Sequence, residues 1–287
     1  MSLYEVQPHP DLESPVLVLG MEGWIDAGLG AGTTISHLLA AVPTEVVATF
    51  DGDELIDFRA RRPTVRISDG VALGLNWPEI QLRGGQDPAG KDVLVLVGPE
   101  PDMRWHAFVD AVVGLGTELG VRLVVAVGAF PAPVPHTRPV RLAATASTRE
   151  LAERVGVVTG TIEVPSGIHA ALDAGFAAAG IEAMGLWARV PHYAAAMPYP
   201  AASAALIEGL ASVAGLDLSA EELRAAADVT TGRIDQIIAS SEEHGEMVRQ
   251  LEANADAEED APPLDLTKLP SGDEIAAELE RFLRGEG

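Results

Sequence analysis

Five short apolar runs constrain this chain more than any other feature. Val16–Leu19, Val46–Phe50, Val93–Val97, Leu123–Val127 and Leu186–Val190 are rich in Val and Leu and do not alternate with polar residues. Runs of this length and composition fit strands buried on both faces, as in a parallel sheet covered by helices. Stretches with helical patterning separate them, at Ala27–Ala41, Arg104–Leu119, Thr148–Val155, Ala170–Ala179 and Ala201–Ala214. Strand–helix alternation predicts a three-layer α/β/α core with a mainly parallel sheet. Pro139–Ala146 reads as a further strand. Residues 60–90 read as a short hairpin around Arg66–Leu75 followed by a loop.

The charge distribution marks where this core ends. Residues 217–287 carry a net −13, more than the −11 of the three-times-longer segment before them. The sequence therefore divides into a core at 1–215, a helical extension at 216–254, an acidic linker with prolines at 255–270 and a terminal amphipathic helix at 271–287. Ser219 with Glu222, and Ser271 with Glu274, have the spacing of capping boxes. Within the extension a break is expected at Thr231–Gly232. The terminal helix would present Ile275, Leu279, Phe282 and Leu283 along one stripe, too short to stand alone in water and so expected to dock on something.

Composition excludes several function classes. The 287 residues include no cysteine, which removes disulfides, thiol nucleophiles and thiolate metal sites. A net charge of −24 argues against nucleic acid and anionic membranes as partners. No apolar run reaches the length of a membrane span and the first residues lack a signal-peptide pattern, so a cytoplasmic location is expected. The seven histidines form no H-x-x-x-H or H-E-x-x-H pair, and no P-loop sequence occurs. No metal and no cofactor is expected. Gly28-Leu29-Gly30-Ala31-Gly32 follows a strand and opens a helix, yet Thr33 stands where a dinucleotide fingerprint needs glycine. Close helix–sheet packing explains those small residues more simply.

Ligands of α/β sheets gather beyond the carboxyl ends of the strands. The loops expected there carry Asp26, then Glu100, Asp102 and Arg104, then His136 and Arg138, then His192. One reading makes these a ligand-binding crevice, with Arg104 and Arg138 holding an anion, Asp26 or Glu100 orienting a hydroxyl, and His136 exchanging a proton. The other makes Asp26 and Asp102 helix caps and pairs the arginines with carboxylates. A Ser166–His136–acid triad can be drawn, but Val164-Pro165-Ser166-Gly167 is not a nucleophile elbow. Arg59, Arg61 and Arg62 stand out in so acidic a chain. No catalytic residue is assigned.

The same loops carry a family resemblance. Gly23-Trp24-Ile25-Asp26-Ala27-Gly28, Asp57-Phe58-Arg59-Ala60-Arg61-Arg62-Pro63, Gly98-Pro99-Glu100-Pro101-Asp102-Met103-Arg104-Trp105, Pro133-Val134-Pro135-His136-Thr137-Arg138-Pro139 and Val190-Pro191-His192-Tyr193 occur in the order found in bacterial members of the proteasome assembly chaperone 2 family. The acidic helical tail resembles that of the actinobacterial branch. The resemblance implies a phosphorylase/hydrolase-like α/β/α fold and a homo-oligomer such as a trimer. It also implies an interaction protein acting on proteasome subunits or another complex. Some archaeal relatives engage the proteasome through a C-terminal hydrophobic–tyrosine–any tail. This sequence ends Arg284-Gly285-Glu286-Gly287, so docking through such a tail is not expected. The alternative is a small-molecule binder or hydrolase/phosphorylase-like enzyme using the crevice.

Overall fold

Each of the five apolar runs lies in a strand of one eight-stranded sheet, and the residues between them supply the covering helices. The computed structural model describes residues 3–23, 25–156 and 163–260, with side chains through residue 257. In chain order the elements are β1 (Tyr4–Val6), β2 (Val16–Glu22), α1 (Gly30–Ala41), β3 (Thr44–Phe50), α2 (Gly52–Leu55), β4 (Thr64–Ser68), β5 (Val71–Asn76), β6 (Gln81–Gln86), β7 (Asp92–Pro99), α3 (Trp105–Glu118), β8 (Leu123–Ala132), β9 (Leu142–Ala146), α4 (Arg149–Glu153), α5 (Ile168–Ala178), β10 (Glu182–Pro191), α6 (Pro200–Ala214), α7 (Glu221–Ala239) and α8 (Glu242–Asp260).

The sheet order is β1-β3-β6-β7-β2-β8-β10-β9. It is mixed, which corrects the expectation of a mainly parallel sheet. Only the central pairs β7–β2, β2–β8 and β8–β10 are parallel, while the four outer pairs are antiparallel. The cause is β6, which falls where a loop was expected and returns the chain antiparallel between β3 and β7. Its sequence hides it, because Gln81-Leu82-Arg83-Gly84-Gly85-Gln86 has one apolar side chain. A Cβ on Gly84 would lie 2.8 Å from Val47, and one on Gly85 2.1 Å from the Pro43 carbonyl oxygen. Glycine here permits close backbone approach.

Successive residues of the central strands point to opposite faces, as the two-residue period of a strand requires. Val16, Val18, Val93, Val95, Val125 and Val127 join one buried cluster with Leu38 of α1, Leu206 and Leu210 of α6, and Leu223 and Ile234 of α7. Leu17, Leu19, Leu94, Leu96, Val124 and Ala126 join the other with Phe108 and Leu115 of α3 and Leu172 and Phe176 of α5. These strands are apolar throughout because both of their faces are core. The small residues after β2 have the expected packing role: a Cβ on Gly30 would meet that of Ala129 on β8 at 2.8 Å. Gly28 adopts φ 64°, and a Cβ there would meet that of Tyr199 at 2.6 Å.

Gly215, at φ 68°, ends α6 in the left-handed conformation that favours glycine at this position. Helix α7 runs unbroken through Thr231–Gly232, and the turn comes instead at Ser240–Ser241. The Ser219–Glu222 capping box does not form: α7 opens after Ala220, and Ser219 Oγ accepts the Glu221 N–H at 3.3 Å. Helix α8 continues to Asp260, beyond residue 254. Ser271, Glu274, Ile275, Leu279, Phe282 and Leu283 lie outside the described residues.

The β4–β5 hairpin stands apart from the sheet. Its two-residue turn, Asp69–Gly70, has positive φ at both positions (50° and 81°), the geometry of a tight hairpin turn that follows the twist of its strands. No helix among the described residues is long and apolar enough to cross a membrane.

Candidate functional site

The carboxyl ends of β2, β7, β8 and β10 lie side by side, so their following loops share one edge of the sheet. The structure divides the candidate residues on these loops into three groups. Asp26 caps α1, with its carboxylate accepting the N–H groups of Ala31 at 2.7 Å and Gly32 at 3.0 Å. Next to it, Gly28 donates its N–H to Ala195 and accepts that of Tyr199, both at 2.8 Å, which fastens the β2–α1 loop to the β10–α6 loop.

The second group knits the β7–α3 loop to its neighbours. Glu100 accepts the N–H of Ile168 at 2.5 Å, which satisfies an orphan donor at the start of α5. Asp102 accepts the Asp57 N–H at 2.9 Å and has Arg61 Nε at 3.4 Å. Arg104 is left-handed at φ 59° and pairs with Glu54 of α2. Asp57, Arg61 and Glu54 all come from the segment after β3. These contacts anchor the stem of the β4–β5 hairpin.

The third group is met by the C-terminal helices. His136 is only 5% exposed. Its backbone N–H donates to the Tyr193 hydroxyl oxygen at 2.8 Å, Nδ1 lies 2.7 Å from the same oxygen, and Nε2 lies 3.1 Å from Asp235 Oδ1 of α7. One proton arrangement satisfies every group: the Tyr193 O–H donates to Nδ1, and Nε2–H donates to Asp235. Burial, with the negative charges of Glu252 and Asp235, raises the Tyr193 phenol pKa, opposed by the His136 backbone N–H. Tyr193 therefore stays protonated and able to donate. Arg138 forks onto Asp256 of α8, Nε to Oδ1 at 2.7 Å and Nη2 to Oδ2 at 2.8 Å, with Glu252 at 3.5 Å. Hydrogen bonding from Arg138 holds the Asp256 carboxyl below its ordinary pKa; slight burial opposes this, and the charges of Arg138 and Arg141 reinforce it. His192 is exposed and stacks edge-on against Tyr193, with ring centroids 5.3 Å apart.

The chain therefore supplies its own partners for the groups a ligand was expected to meet. Ser166 Oγ donates to the neighbouring Gly167 carbonyl at 3.0 Å, and His136 is engaged on both nitrogens, so the two form no triad. A cavity of about 170 Å³ remains beneath α8, bounded by the β8–β9 loop and the end of β10. Arg141 and Arg189 line it with Arg138 and were not singled out from the sequence; nor were Asp235 and Asp256. The acidic tail announced that carboxylates existed, but not which would return to loops more than ninety residues earlier. Among the described residues no three His, Cys, Asp or Glu side chains are grouped to hold a metal ion.

The fold and this arrangement of loops can be set beside known proteins. Residues 20–238 match the model of the PAC2 family. The chain belongs to the PAC2 family. No curated protein matches its sequence. Among solved structures, Rv2714, a Mycobacterium tuberculosis protein of unknown function, is 37% identical over 90% of each chain with a TM-score of 0.82. The M. tuberculosis proteasome-assembly chaperone homologue Rv2125 is 34% identical over 81% of this chain and 99% of its own, with a TM-score of 0.75. PbaB, a proteasome activator of the archaeon Pyrococcus furiosus, shares the fold at 16% identity, covering 82% of this chain and 97% of its own, with a TM-score of 0.62. The PAC2 match runs from within β2 to the last turn of α7, so it includes the first two groups and the His136–Tyr193–Asp235 contacts of the third, and ends before the α8 carboxylates that meet Arg138.

Proposed function

We propose that this PAC2 protein is a non-enzymatic, cytoplasmic interaction protein that works as a homo-oligomer in assembling or regulating a proteasome-like or other protein complex. A relative described as a proteasome-assembly chaperone homologue, and a protein of the same fold described as a proteasome activator, support this reading. The observation that carries it is the β4–β5 hairpin. Every residue of both strands is exposed, including Val65, Ile67, Val71, Leu73 and Leu75 at 49–62%. Val65 pairs with Leu75 across the hairpin, and Ile67 lies two residues along the same face. A lone two-stranded hairpin is marginal in water, and exposed apolar side chains along both of its strands suit a surface that a protein partner covers.

A second copy of the chain is the occupant that the charges favour. Arg59 and Arg62 precede β4, Arg66 lies within it on the face opposite Val65 and Ile67, and none of the three makes an ion pair among the described residues. Basic groups beside a hydrophobic surface suit an acidic partner, and a copy carrying −24 is one. The hairpin also needs permanent cover, which a constitutive subunit supplies and a transient client does not.

Sedimentation equilibrium tests the assembly directly. The wild type is expected to be an oligomer, and an Ile67→Asp, Leu73→Asp double variant a folded monomer by circular dichroism. A monomeric wild type at micromolar concentration would overturn the oligomer. Affinity capture from the source cell tests the role, with recovery of proteasome α-type subunits or their activators expected. Loss of that recovery on replacing Phe282 and Leu283 by Asp would assign the contact to the terminal segment. Recovery of the protein alone would count against the complex-assembly reading.

A further inference from the structure

The β4–β5 hairpin calls for a cover, and the end of the sequence carries a stripe of matching length and opposite charge. Every residue of the two strands is exposed. Trp77, at the foot of β5, is itself 46% exposed and packs edge-on against Phe58, which extends the apolar surface towards the stem. Packing against a helix is one of the ways in which a two-stranded hairpin becomes stable. Residues 261–287 lie outside the described residues. Their sequence sets Ile275, Leu279, Phe282 and Leu283 at the spacing of one helical face. A helix rises about 12 Å from Ile275 to Leu283, close to the roughly 13 Å that β5 covers from Val71 to Leu75.

We propose that residues 271–287 of one copy lie as a helix across the β4–β5 hairpin of a second copy, so that the tail holds the homo-oligomer together. This rests on the reading of the hairpin as an interface between copies, and names the surface that meets it. Charge supports the pairing. Residues 271–287 hold five carboxylates against Arg281 and Arg284. The hairpin strands and their turn hold Asp69 as their one carboxylate, with Arg66 in β4 and Arg59 and Arg62 just before it. A basic stem beside an apolar face suits an acidic amphipathic helix. Reach supports it as well. Helix α8 ends at Asp260, and its Asp256 stands on Arg138 at the sheet edge that also anchors the hairpin stem through Asp102. Residues 261–270 then extend up to about 33 Å before the stripe begins, enough to leave their own copy. Each copy gives one tail and receives one, a contact that closes as a reciprocal dimer or as a ring.

The chain has no cysteine, so single-cysteine variants give unambiguous cross-links. Leu75→Cys and Leu279→Cys change residues of neither buried cluster. Co-expressed and oxidised, they are expected to yield a disulfide-linked pair of chains that neither variant yields alone. Leu75→Cys linked to itself would set hairpin against hairpin and overturn the proposal. So would a double variant whose disulfide closes within one chain, which returns the tail to its own copy. No link in a protein that sediments as an oligomer overturns the tail contact and leaves the oligomer standing, whereas a monomeric wild type removes both. In the full-length protein, Phe282→Asp with Leu283→Asp is expected to abolish the oligomer in sedimentation equilibrium, with circular dichroism checking that the fold persists. An oligomer unchanged by that pair of substitutions would also overturn the proposal.

Discussion

The carboxylate of Asp87, 4% exposed, accepts three backbone N–H groups: those of Ala89 at 3.0 Å, Lys91 at 2.8 Å and Asp217 at 2.7 Å. Burial alone would raise its pKa, but these hydrogen bonds and the nearby Lys91 charge outweigh it and keep the group ionised. Two of the donors form the β6–β7 turn, while the third lies just past the end of α6. Asp87 therefore ties the sheet to the linker that launches α7, assisted by Arg122, which donates to the Ala214 carbonyl at 2.5 Å. Replacing Asp87 by Ala orphans all three donors at once. A loss of about 2–4 kcal/mol is expected from charge-assisted hydrogen bonds in such a setting. Urea denaturation measures it, and a change below about 0.5 kcal/mol would show that water replaces the carboxylate without penalty.

At the scale of elements, legibility followed burial. The central strands with two buried faces could be read directly from composition, and so could β3, whose Val47, Ala48 and Phe50 join one of the two clusters. So could the hairpin, whose Asp69–Gly70 turn is a local signal. Strand β6 could not, since its glycines are explained by Val47 and the Pro43 carbonyl, contacts that exist only once the sheet is assembled. The site behaved in the same way. Placing Asp26, Glu100, Asp102, Arg104, His136, Arg138 and His192 on loops of one edge followed from topology. Their division into a cap, a loop knot and a helix-covered cavity depended on Asp235 and Asp256, whose return to the core no local pattern records. This dependence can be measured. Helix α7 contributes Leu223 and Ile234 to the main core, whereas α8, among its described side chains, buries Val248 and Leu251 outside that cluster and carries the carboxylates that pair with Arg138. Hydrogen exchange is expected to be faster in α8 than in α7. Arg138→Ala should accelerate α8 further and leave β8 and β10 unchanged. Equal protection in the two helices would mean that α8 is bound by more than these pairs.

Across the whole molecule, stability carries the signature of two buried groups on α5 that oppose one another. His169 Nε2 and Asp173 Oδ1 are buried one turn apart without hydrogen-bond partners among the described residues. Burial lowers the His169 pKa to about 4 and raises that of Asp173 to about 7. In the unfolded chain they titrate near 6.5 and 3.8. Between about pH 4 and 6.5 the unfolded histidine holds a proton that the folded one lacks, so its contribution to stability rises with pH. Over nearly the same range the folded aspartic acid holds a proton that the unfolded one lacks, so its contribution falls, and continues to fall until about pH 7. The two slopes, each about 1.4 kcal/mol per pH unit at full strength, cancel in the wild type. Single substitutions expose them with opposite sign. Relative to the wild type, Asp173→Asn is expected to lose stability as the pH falls from 6.5 towards 4, and His169→Gln to lose it as the pH rises from 4 towards 7. Denaturation midpoints of the three proteins across this range decide the matter. Parallel profiles would mean that neither group is shielded from water, and that α5 packs against its neighbours more loosely than its unpartnered polar atoms indicate.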